Sequence, residues 1–509
     1  MIIEGSQITA DVERSCDVCI IGSGAGGAVV AARLAAAGLD VVVLEEGGNR
    51  GRADFVRPNE RWSYPELYQD RGGRATDDVG ITVLQGRTVG GSTVVNWTTC
   101  FRTPERILDH WRREHGVELD AETLRPHFEA VEQRLSIQPW AVPPNPNNDV
   151  LRRGCAALGW EHEVLRRNVK GCANSGFCGL GCPVDGKQAM QITYLADAIT
   201  QGATLYSDVR VERLELGASK LTAVHGVVME RGSSRATSTR VVIRPRITVS
   251  SCGALNGPAL FLRSGLDGLG RVGKRTFFHP VVAVLGEYEQ PINPFYGAPQ
   301  SVSSHEFIER GPDEYGFFME SAPMQPMLAA SAGWVFGAGL DDLMLRLPHV
   351  SAIIALQVDG VLPGDEGGVV GLRSDGRMSI HYPVRGRMVD GMRDAHLALA
   401  RIHLAAGAKR VMTTHATPLE LRTEADLPKL EGATFGTHEH SIFTAHQMGG
   451  LAMGADPSRH PVDLDLRFRG VDNLFVVDGS VLPTALGVNP SETIYGIAHW
   501  AADKIVSMA

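Results

Sequence analysis

The protein has 509 residues, 43% of them hydrophobic and 21% charged, so the chain can bury a core and exceeds one ordinary domain. This composition excludes a disordered chain, and the net charge of −9 argues against a nucleic-acid binder, which would need a basic surface. The 58 glycines predict many tight turns and close backbone approaches.

Neither a secretory signal nor a membrane span is predicted. Residues 1–15 are largely polar and lack the apolar core of a signal peptide. The best candidate for a span, residues 326–340, is shorter than the roughly 18 residues that a spanning helix needs and is interrupted by glycine. We therefore expect a cytoplasmic protein in which most of the eight cysteines are small buried side chains rather than disulfide partners.

A βαβ unit is predicted near the start of the chain. Residues 17–22 form an apolar run that ends in glycine, as in a buried parallel strand. Residues 25–37 are rich in alanine and predict a helix, and residues 40–45 predict a second buried strand. This order of elements is typical of an α/β domain.

Between the first strand and the helix, Gly22, Gly24 and Gly27 form the pattern G-x-G-x-x-G. The first glycine permits a tight turn, the second lets the backbone approach a pyrophosphate, and the third allows close helix packing. The helix N-terminus also presents free N–H groups to the phosphates. Glu45 ends the second strand, where a carboxylate can accept a hydrogen bond from a ribose 2′-hydroxyl, so the pattern favours NAD or FAD over NADP.

Further regular elements are predicted later in the chain. Residues 239–254 predict strands that lead to a glycine turn, residues 473–479 a strand, and residues 492–508 a terminal helix. The regions 54–200 and 285–435 are richer in loops. A sheet domain interrupted by a second domain is therefore predicted, rather than two domains in tandem.

A second Gly-rich loop contains Gly90, Gly91 and Ser92 and ends at Asn96. At this point the chain resembles the glucose–methanol–choline (GMC) oxidoreductase family, whose flavin-ring loop reads G-G-S-x-x-x-N. The resemblance implies FAD rather than NAD as the cofactor. Some members attach the flavin covalently through a histidine just before the asparagine, but that position is Val95 here, so non-covalent FAD is expected.

The resemblance extends over about residues 15–507. It is carried by a strand whose Val211 is expected near the adenine, a strand–turn–helix at 251–265, and a flavin-contacting turn at Asp478 and Gly479. The chain is most similar to the His–Asn type of the family, in the long-chain alcohol oxidase and bacterial FAD-dependent glucose dehydrogenase branches.

The resemblance also implies the domain organisation. We expect a Rossmann-like FAD-binding domain assembled from residues 1–100, 200–285 and 435–509. Residues 101–199 and 286–434 are expected to form a substrate-binding domain built on an antiparallel sheet.

Oxidation of an alcohol by hydride transfer to a flavin needs a base for the hydroxyl proton and a polar group that holds the oxygen. The resemblance implies that His446 and Asn489 form this pair above the flavin, with His446 as the base, and the pKa of histidine suits that role. The alternative for His446 is a core histidine. His279 is interpreted as structural, and His438 and His440 as polar loop residues rather than metal ligands.

Three cysteines, Cys172, Cys178 and Cys182, lie in a glycine-rich loop at 171–183 and are followed by proline, a pattern typical of iron–sulfur ligation. Their spacing resembles the [3Fe–4S] loop of bacterial FAD-dependent glucose dehydrogenases. It also resembles a loop of the long-chain alcohol oxidases that does not imply a cluster. A [3Fe–4S] cluster and a metal-free loop near the flavin both remain open, whereas zinc is disfavoured because no fourth ligand follows.

The sequence says little about which compound is the substrate. Adaptable apolar residues either line a pocket for a hydrophobic alcohol or pack in the core: Phe317, Met319, Met324, Met327, Trp334, Phe336 and Met344. We expect a hydrophobic or long-chain alcohol or a sterol as substrate, or else a sugar. Electrons would pass to O2 or to another acceptor, including an electron-transfer partner. A non-redox lyase that retains FAD and a non-catalytic flavoprotein stay open as alternatives.

Overall fold

The computed structural model describes residues 1–56, 59–332 and 336–508. The first of its two large sheets contains both parallel and antiparallel strands. The strands of this sheet follow the order Ile2–Ile3, Thr204–Tyr206, Val41–Leu44, Val12–Ile21, Ala236–Ser250, Leu221–Met229 and Val209–Leu216, with Leu474–Val476 also paired to Ala236–Ser250. The last two pairings in this order are antiparallel, and the other pairings are parallel. The predicted βαβ unit is confirmed and lies at the centre of this sheet.

The central strands are apolar because both faces of the sheet are covered. Every residue of Val41–Leu44 is buried. The helices Ala25–Ala36 and Ser491–Met508 pack against each other, and the helix Ala121–Leu135 packs against the latter. Where separate strands were expected in 239–254, one long strand, Ala236–Ser250, pairs with a neighbour on each side.

The second large sheet is mainly antiparallel, as predicted for the substrate domain. Its strands follow the order Glu420–Leu421, Arg410–Thr413, Val281–Glu287, Val350–Gln357, Phe317–Ser321, Val302–Ser304 and Glu163–Val164, and Phe443–Thr444 pairs with both Val281–Glu287 and Thr82–Val83. The helix Arg387–Ala405 covers one face and contributes to a separate hydrophobic core.

The predicted domain boundaries need correction at three points. The boundary at 285 falls inside the strand Val281–Glu287, whose residues all pair within the second sheet. Thr82–Val83 and Phe443–Thr444 also join this sheet, although both lie in segments that the sequence assigned to the FAD domain. These strands are too short to show the alternating pattern from which a boundary could be predicted.

The remaining elements are short strands and surface helices. The short strands are Thr99–Cys100, Ile137–Pro139, Arg166–Asn168, Thr276–Phe278, Val369–Leu372, Met378–His381 and Gln447–Gly449. The other helices are Arg52–Phe55, Glu60–Leu67, Glu105–His115, Pro146–Leu158, Tyr194–Thr200, Asn256–Arg263, Pro326–Ala332, Ala338–Arg346 and Leu427–Glu431. None of the helices within the described ranges combines the length and the apolar character needed to cross a membrane. All eight cysteines are free thiols.

Candidate active site

The G-x-G-x-x-G turn is closed by contacts between backbones. A Cβ atom at Gly22 would lie 2.2 Å from the Ser251 carbonyl oxygen, and one at Gly27 would lie 2.0 Å from the Gly22 carbonyl oxygen. At Gly24, by contrast, the nearest atom would be the Gly91 Cα at 3.8 Å. Gly22 and Gly27 are therefore required for packing, whereas Gly24 leaves open space where the helix Ala25–Ala36 begins.

Gly26 has a packing role that the sequence motif does not reveal. A Cβ atom there would lie 1.9 Å from the Val477 carbonyl oxygen, which follows the strand Leu474–Val476. Asp478 fixes the same junction, because its carboxylate accepts hydrogen bonds from Ser480 N at 2.7 Å and from Gly253 N at 2.8 Å. The C-terminal segment is thus tied directly to the first turn.

Ser23, which sequence reasoning missed, joins the two predicted cofactor loops. Its backbone N–H and hydroxyl both donate to Glu45 Oε2, at 3.0 and 2.6 Å, and its oxygen accepts from Gly90 N at 2.9 Å. Glu45 Oε1 also accepts from Gly47 N. Burial raises the pKa of Glu45, while these hydrogen bonds favour the carboxylate.

The second loop approaches the first very closely. A Cβ atom at Gly91 would lie 2.8 Å from the Gly24 Cα. The side-chain oxygen of Asn96, at the end of this loop, is buried and has no hydrogen-bond partner within the described ranges. Such an atom indicates an absent ligand group with a hydrogen to donate.

These parts line one cavity of about 1160 Å³ between the two sheets. Of the predicted residues, the lining includes Gly22, Gly24, Glu45, Gly91, Ser92, Asn96, Val211, His446, Asp478, Gly479 and Asn489. Gly27 and Gly90 lie behind the lining and support its turns. The volume and the glycine-lined turns suit a dinucleotide, so the residues present fit FAD.

His446 and Asn489 meet at one end of this cavity, with His446 Nε2 and Asn489 Nδ2 3.5 Å apart. His279 lies behind them, because its Nδ1 is 3.0 Å from His446 Nδ1. Gly487 N donates to His279 Nε2 at 3.1 Å, so His279 carries its proton on Nδ1 and donates it to His446. Neutral His446 therefore carries its own proton on Nε2, facing Asn489.

Glu320 is the principal residue that sequence reasoning missed. It is fully buried in the strand Phe317–Ser321, and its Oε2 accepts from Gln300 Nε2 at 2.7 Å and from Asn489 Nδ2 at 3.4 Å. Its Oε1 has no partner in the part of the chain that the structure describes. No local motif marks Glu320; the one available signal is a single acid in an otherwise apolar stretch.

Burial changes the protonation of both groups. Desolvation lowers the pKa of His446 to about 4, so the ring is uncharged near neutral pH. Desolvation also raises the pKa of Glu320 to about 8, and the hydrogen bonds from Asn489 and Gln300 offset only part of that effect. The site therefore holds a neutral imidazole beside a carboxyl group that changes protonation near pH 8.

Two family models described as GMC oxidoreductase match residues 64–281 and 366–498. The chain belongs to the GMC oxidoreductase family. A third model, for an NAD(P)-binding Rossmann-like domain, matches residues 20–65. The protein is an oxidoreductase that acts on alcohol-type donors, and its family supports FAD as the cofactor.

Relatives span the chain almost completely. The uncharacterized GMC-type oxidoreductase Rv0492c of Mycobacterium tuberculosis (strain ATCC 25618 / H37Rv) is 33% identical over 96% of this chain and 76% of that protein. The long-chain-alcohol oxidase FAO4A of Arabidopsis thaliana is 30% identical over 99% and 70%. The crystal structure of pyridoxine 4-oxidase from Mesorbium loti matches with a TM-score of 0.72 and 21% identity, over 96% of this chain and 99% of that chain. The predicted fold is confirmed.

The predicted apolar pocket residues lie elsewhere. Phe317, Met319 and Met324 are buried in cores, and neither they nor Met327, Phe336 and Met344 line the cavity. Trp334 lies outside the described residues. The apolar wall beside His446 is instead formed by Trp97, Val281, Ile354, Leu356 and Phe443. The buried members of this group therefore serve packing, whereas Met327 and Phe336 are exposed on the surface.

His440 and the cysteine loop lie outside the catalytic pair. His440 packs in a buried cluster with His396 and His415, and the donor atoms of this cluster do not converge as metal ligands would. The cysteine loop lies directly behind the cavity wall, since Tyr68 donates to the Gly179 carbonyl oxygen at 2.7 Å and lines the cavity itself.

A matched pair of substitutions separates cofactor contact from packing. Gly26→Ala should lower the free energy of unfolding by about 1–3 kcal/mol, because its Cβ collides with the Val477 backbone. Gly24→Ala should fold with near wild-type stability but bind FAD about tenfold more weakly, since its methyl enters the open space. Urea unfolding of the apoprotein and FAD titration measure the two effects. Equal FAD affinity in Gly24→Ala and wild type would contradict the assignment.

Proposed function

We propose that the protein oxidises a hydrophobic alcohol to an aldehyde or ketone and uses non-covalently bound FAD. One observation carries this proposal. His446 Nε2–H and Asn489 Nδ2–H are both donors and face each other at 3.5 Å, so they cannot satisfy one another. An acceptor oxygen placed between them satisfies both, and an alcohol hydroxyl is such an acceptor.

The residues that would hold FAD are the predicted ones. Gly24 would adjoin the pyrophosphate, Glu45 the ribose and Val211 the adenosine, with Gly91, Asn96 and Asp478 near the ring. When bound, FAD supplies a hydride acceptor at N5. Val95 stands where a covalent linkage would need a histidine, which supports non-covalent binding.

The hydrogen-bond chain refines the role predicted for His446. For His446 to act as the base, Nε2 must lose its proton, and His279 would then need a proton on Nε2, facing the Gly487 N–H. Two donors would oppose each other there. We therefore propose that His446 donates a hydrogen bond to the hydroxyl oxygen, which stabilises its developing negative charge.

Glu320 is the group that then takes the hydroxyl proton. Its Oε1 has no partner within the described ranges, and its pKa near 8 matches the requirement that a general base titrate near the operating pH. Asn489 holds the Glu320 carboxylate through one N–H and offers its other N–H to the hydroxyl oxygen. Together the three side chains bind, orient and deprotonate the hydroxyl.

The substrate class follows from the wall beside the pair. Val281, Ile354, Leu356 and Phe443 offer apolar surface to the carbon chain of an alcohol, and the long-chain-alcohol oxidase relatives support an aliphatic substrate. A sugar would leave its other hydroxyl groups without partners on this wall. We therefore place a long-chain alcohol or a sterol before a sugar.

We propose, second, that the cysteine loop holds an iron–sulfur centre, because two buried cationic side chains lie next to this loop. Arg167 is fully buried with Nη2 3.7 Å from Cys178 Sγ, and Lys187 is buried with its ammonium group on three carbonyl oxygens. Neither forms an ion pair within the described ranges. Backbone N–H groups donate to Cys172 Sγ and Cys182 Sγ, both at 3.4 Å. This surrounding fits an anionic centre held by thiolates.

The redox function is tested by flavin bleaching. Under anaerobic conditions a C10–C16 alcohol should reduce the flavin of the wild type, and His446→Ala should bind FAD normally but react about 10²–10⁴-fold more slowly. A flavin that stays oxidised with every alcohol while a cyanohydrin is cleaved would indicate a lyase instead. Admission of oxygen afterwards shows whether O2 is the acceptor.

The role of Glu320 is tested by pH. Its carboxylate form predominates only above its raised pKa, so kcat/KM should increase with pH up to about 8 and level off there. Glu320→Gln should remove this increase and lower the rate about 10²-fold or more, whereas Glu163→Gln, at the exposed edge of the same sheet, should change neither. An unchanged pH profile in Glu320→Gln would return the base to His446.

The iron–sulfur proposal is tested by composition. Protein purified anaerobically should contain about three irons per flavin, and replacement of Cys178 by serine should remove them. Iron-free protein with full activity would contradict the cluster and leave a metal-free loop.

A further inference from the structure

Outside the catalytic cavity, three potential metal ligands converge where two helices cross. His127 lies on the helix Ala121–Leu135, and His499 and Asp503 lie on the helix Ser491–Met508. One donor atom from each residue lies within 4.8 Å of the other two, and no other group of three such residues in the described part of the chain meets this condition. We propose that this is a binding site for a divalent transition metal, with Zn²⁺ as the natural probe.

The helix geometry builds the site from a short sequence spacing. His499 and Asp503 are four residues apart, so their side chains lie on the same face of one helix. His127 comes from the facing helix. The two helices approach closely because Gly496 has no side chain; a Cβ atom there would collide with Phe128. Two imidazoles and one carboxylate are a donor set that zinc accepts, with water in the fourth position.

The imidazoles are already close to the separation that a shared metal requires. His127 Nδ1 and His499 Nδ1 are 2.9 Å apart. Zn–N bonds of about 2.05 Å at a tetrahedral angle place two nitrogens about 3.3 Å apart, so the rings need to separate by only about 0.4 Å. One Nδ1 carries a proton at present, and a shift of that proton to the Nε2 of the same ring through solvent frees both lone pairs without changing the net charge.

Arg33, on the helix Ala25–Ala36, supports the carboxylate of this site. Arg33 donates to one carboxylate oxygen of Asp503. The second oxygen remains for a metal, and the guanidinium then orients the ligand as a neighbouring hydrogen bond does in many metal sites.

Such a metal would clamp the C-terminal helix to the helix Ala121–Leu135. The C-terminal helix, Ser491–Met508, begins two residues after Asn489. The clamp would therefore stabilise the framework that positions Asn489 without contacting the catalytic cavity. The site is independent of the proposed alcohol oxidation and can be tested in the intact FAD-bound protein.

The experiment is a titration of the holoenzyme with Zn²⁺ by calorimetry and with Co²⁺ by visible absorption. We expect binding at this site with a Kd in the micromolar range, a rise in Tm, and Co²⁺ d–d bands at wavelengths beyond the flavin absorbance. His127→Ala and His499→Ala should each weaken this binding about 100-fold, and Asp503→Asn about tenfold. His162→Ala, which removes a half-buried histidine elsewhere, should have no effect.

Metal bound by the cysteine loop is distinguished by its near-ultraviolet Co²⁺–thiolate absorption, which the histidine variants should leave unchanged. Asp503→Asn tests the site without opening a cavity between the helices, and bound FAD reports that each variant is folded. Absence of metal binding, or binding that is equally tight in His127→Ala, His499→Ala and Asp503→Asn, would overturn the proposal.

Discussion

The fold depends on a backbone contact that tolerates no side chain. At Gly26 the helix Ala25–Ala36 touches the Val477 carbonyl oxygen, and at Gly22 the turn touches the Ser251 carbonyl oxygen. Three distant parts of the chain therefore meet at van der Waals distance around one turn. This contact sets the depth of the cofactor cavity, because the same turn forms its floor and Asp478, next to Val477, lines it.

From this junction the chemistry is arranged in layers. His446 lies on the cavity wall, with His279 behind it and the Gly487 N–H behind His279. Each group fixes the proton position of the next. A backbone amide that never contacts substrate therefore determines which nitrogen of the His446 ring is a donor. Glu320 reaches the same point from the second sheet, where desolvation keeps its carboxyl group partly protonated. The reacting groups thus come from the second sheet, from the turn after its strand Phe443–Thr444, and from the segment before the helix Ser491–Met508.

Much of this site could be predicted because its cofactor half is local in sequence. The spacing of Gly22, Gly24 and Gly27, and the loop that ends at Asn96, are short patterns in which each residue has a stated physical role. Four strands of the first sheet, predicted at 17–22, 40–45, 239–254 and 473–479, and the helices at 25–37 and 492–508 follow from local sequence patterns. His446 and Asn489 were identified through the family resemblance, and their side chains lie 3.5 Å apart.

The parts that could not be predicted depend on contacts between distant residues. Glu320 and Gln300 carry no motif, and only strand pairing brings them to Asn489. The position of the proton on the His446 ring depends on the Gly487 amide, which no side-chain pattern reveals. Likewise, the strands Thr82–Val83 and Phe443–Thr444 are defined by their partners in the second sheet rather than by their own residues.

The junction at Gly26 and Val477 also has a consequence for synthesis on the ribosome. The turn of Gly22 emerges early, but its floor contact and Asp478 are translated some 450 residues later. A nascent chain therefore presents the phosphate-binding turn long before the cavity can close around a cofactor. Capture of the flavin belongs to the completed chain, and until release the exposed sheet faces are surfaces that a chaperone would need to cover.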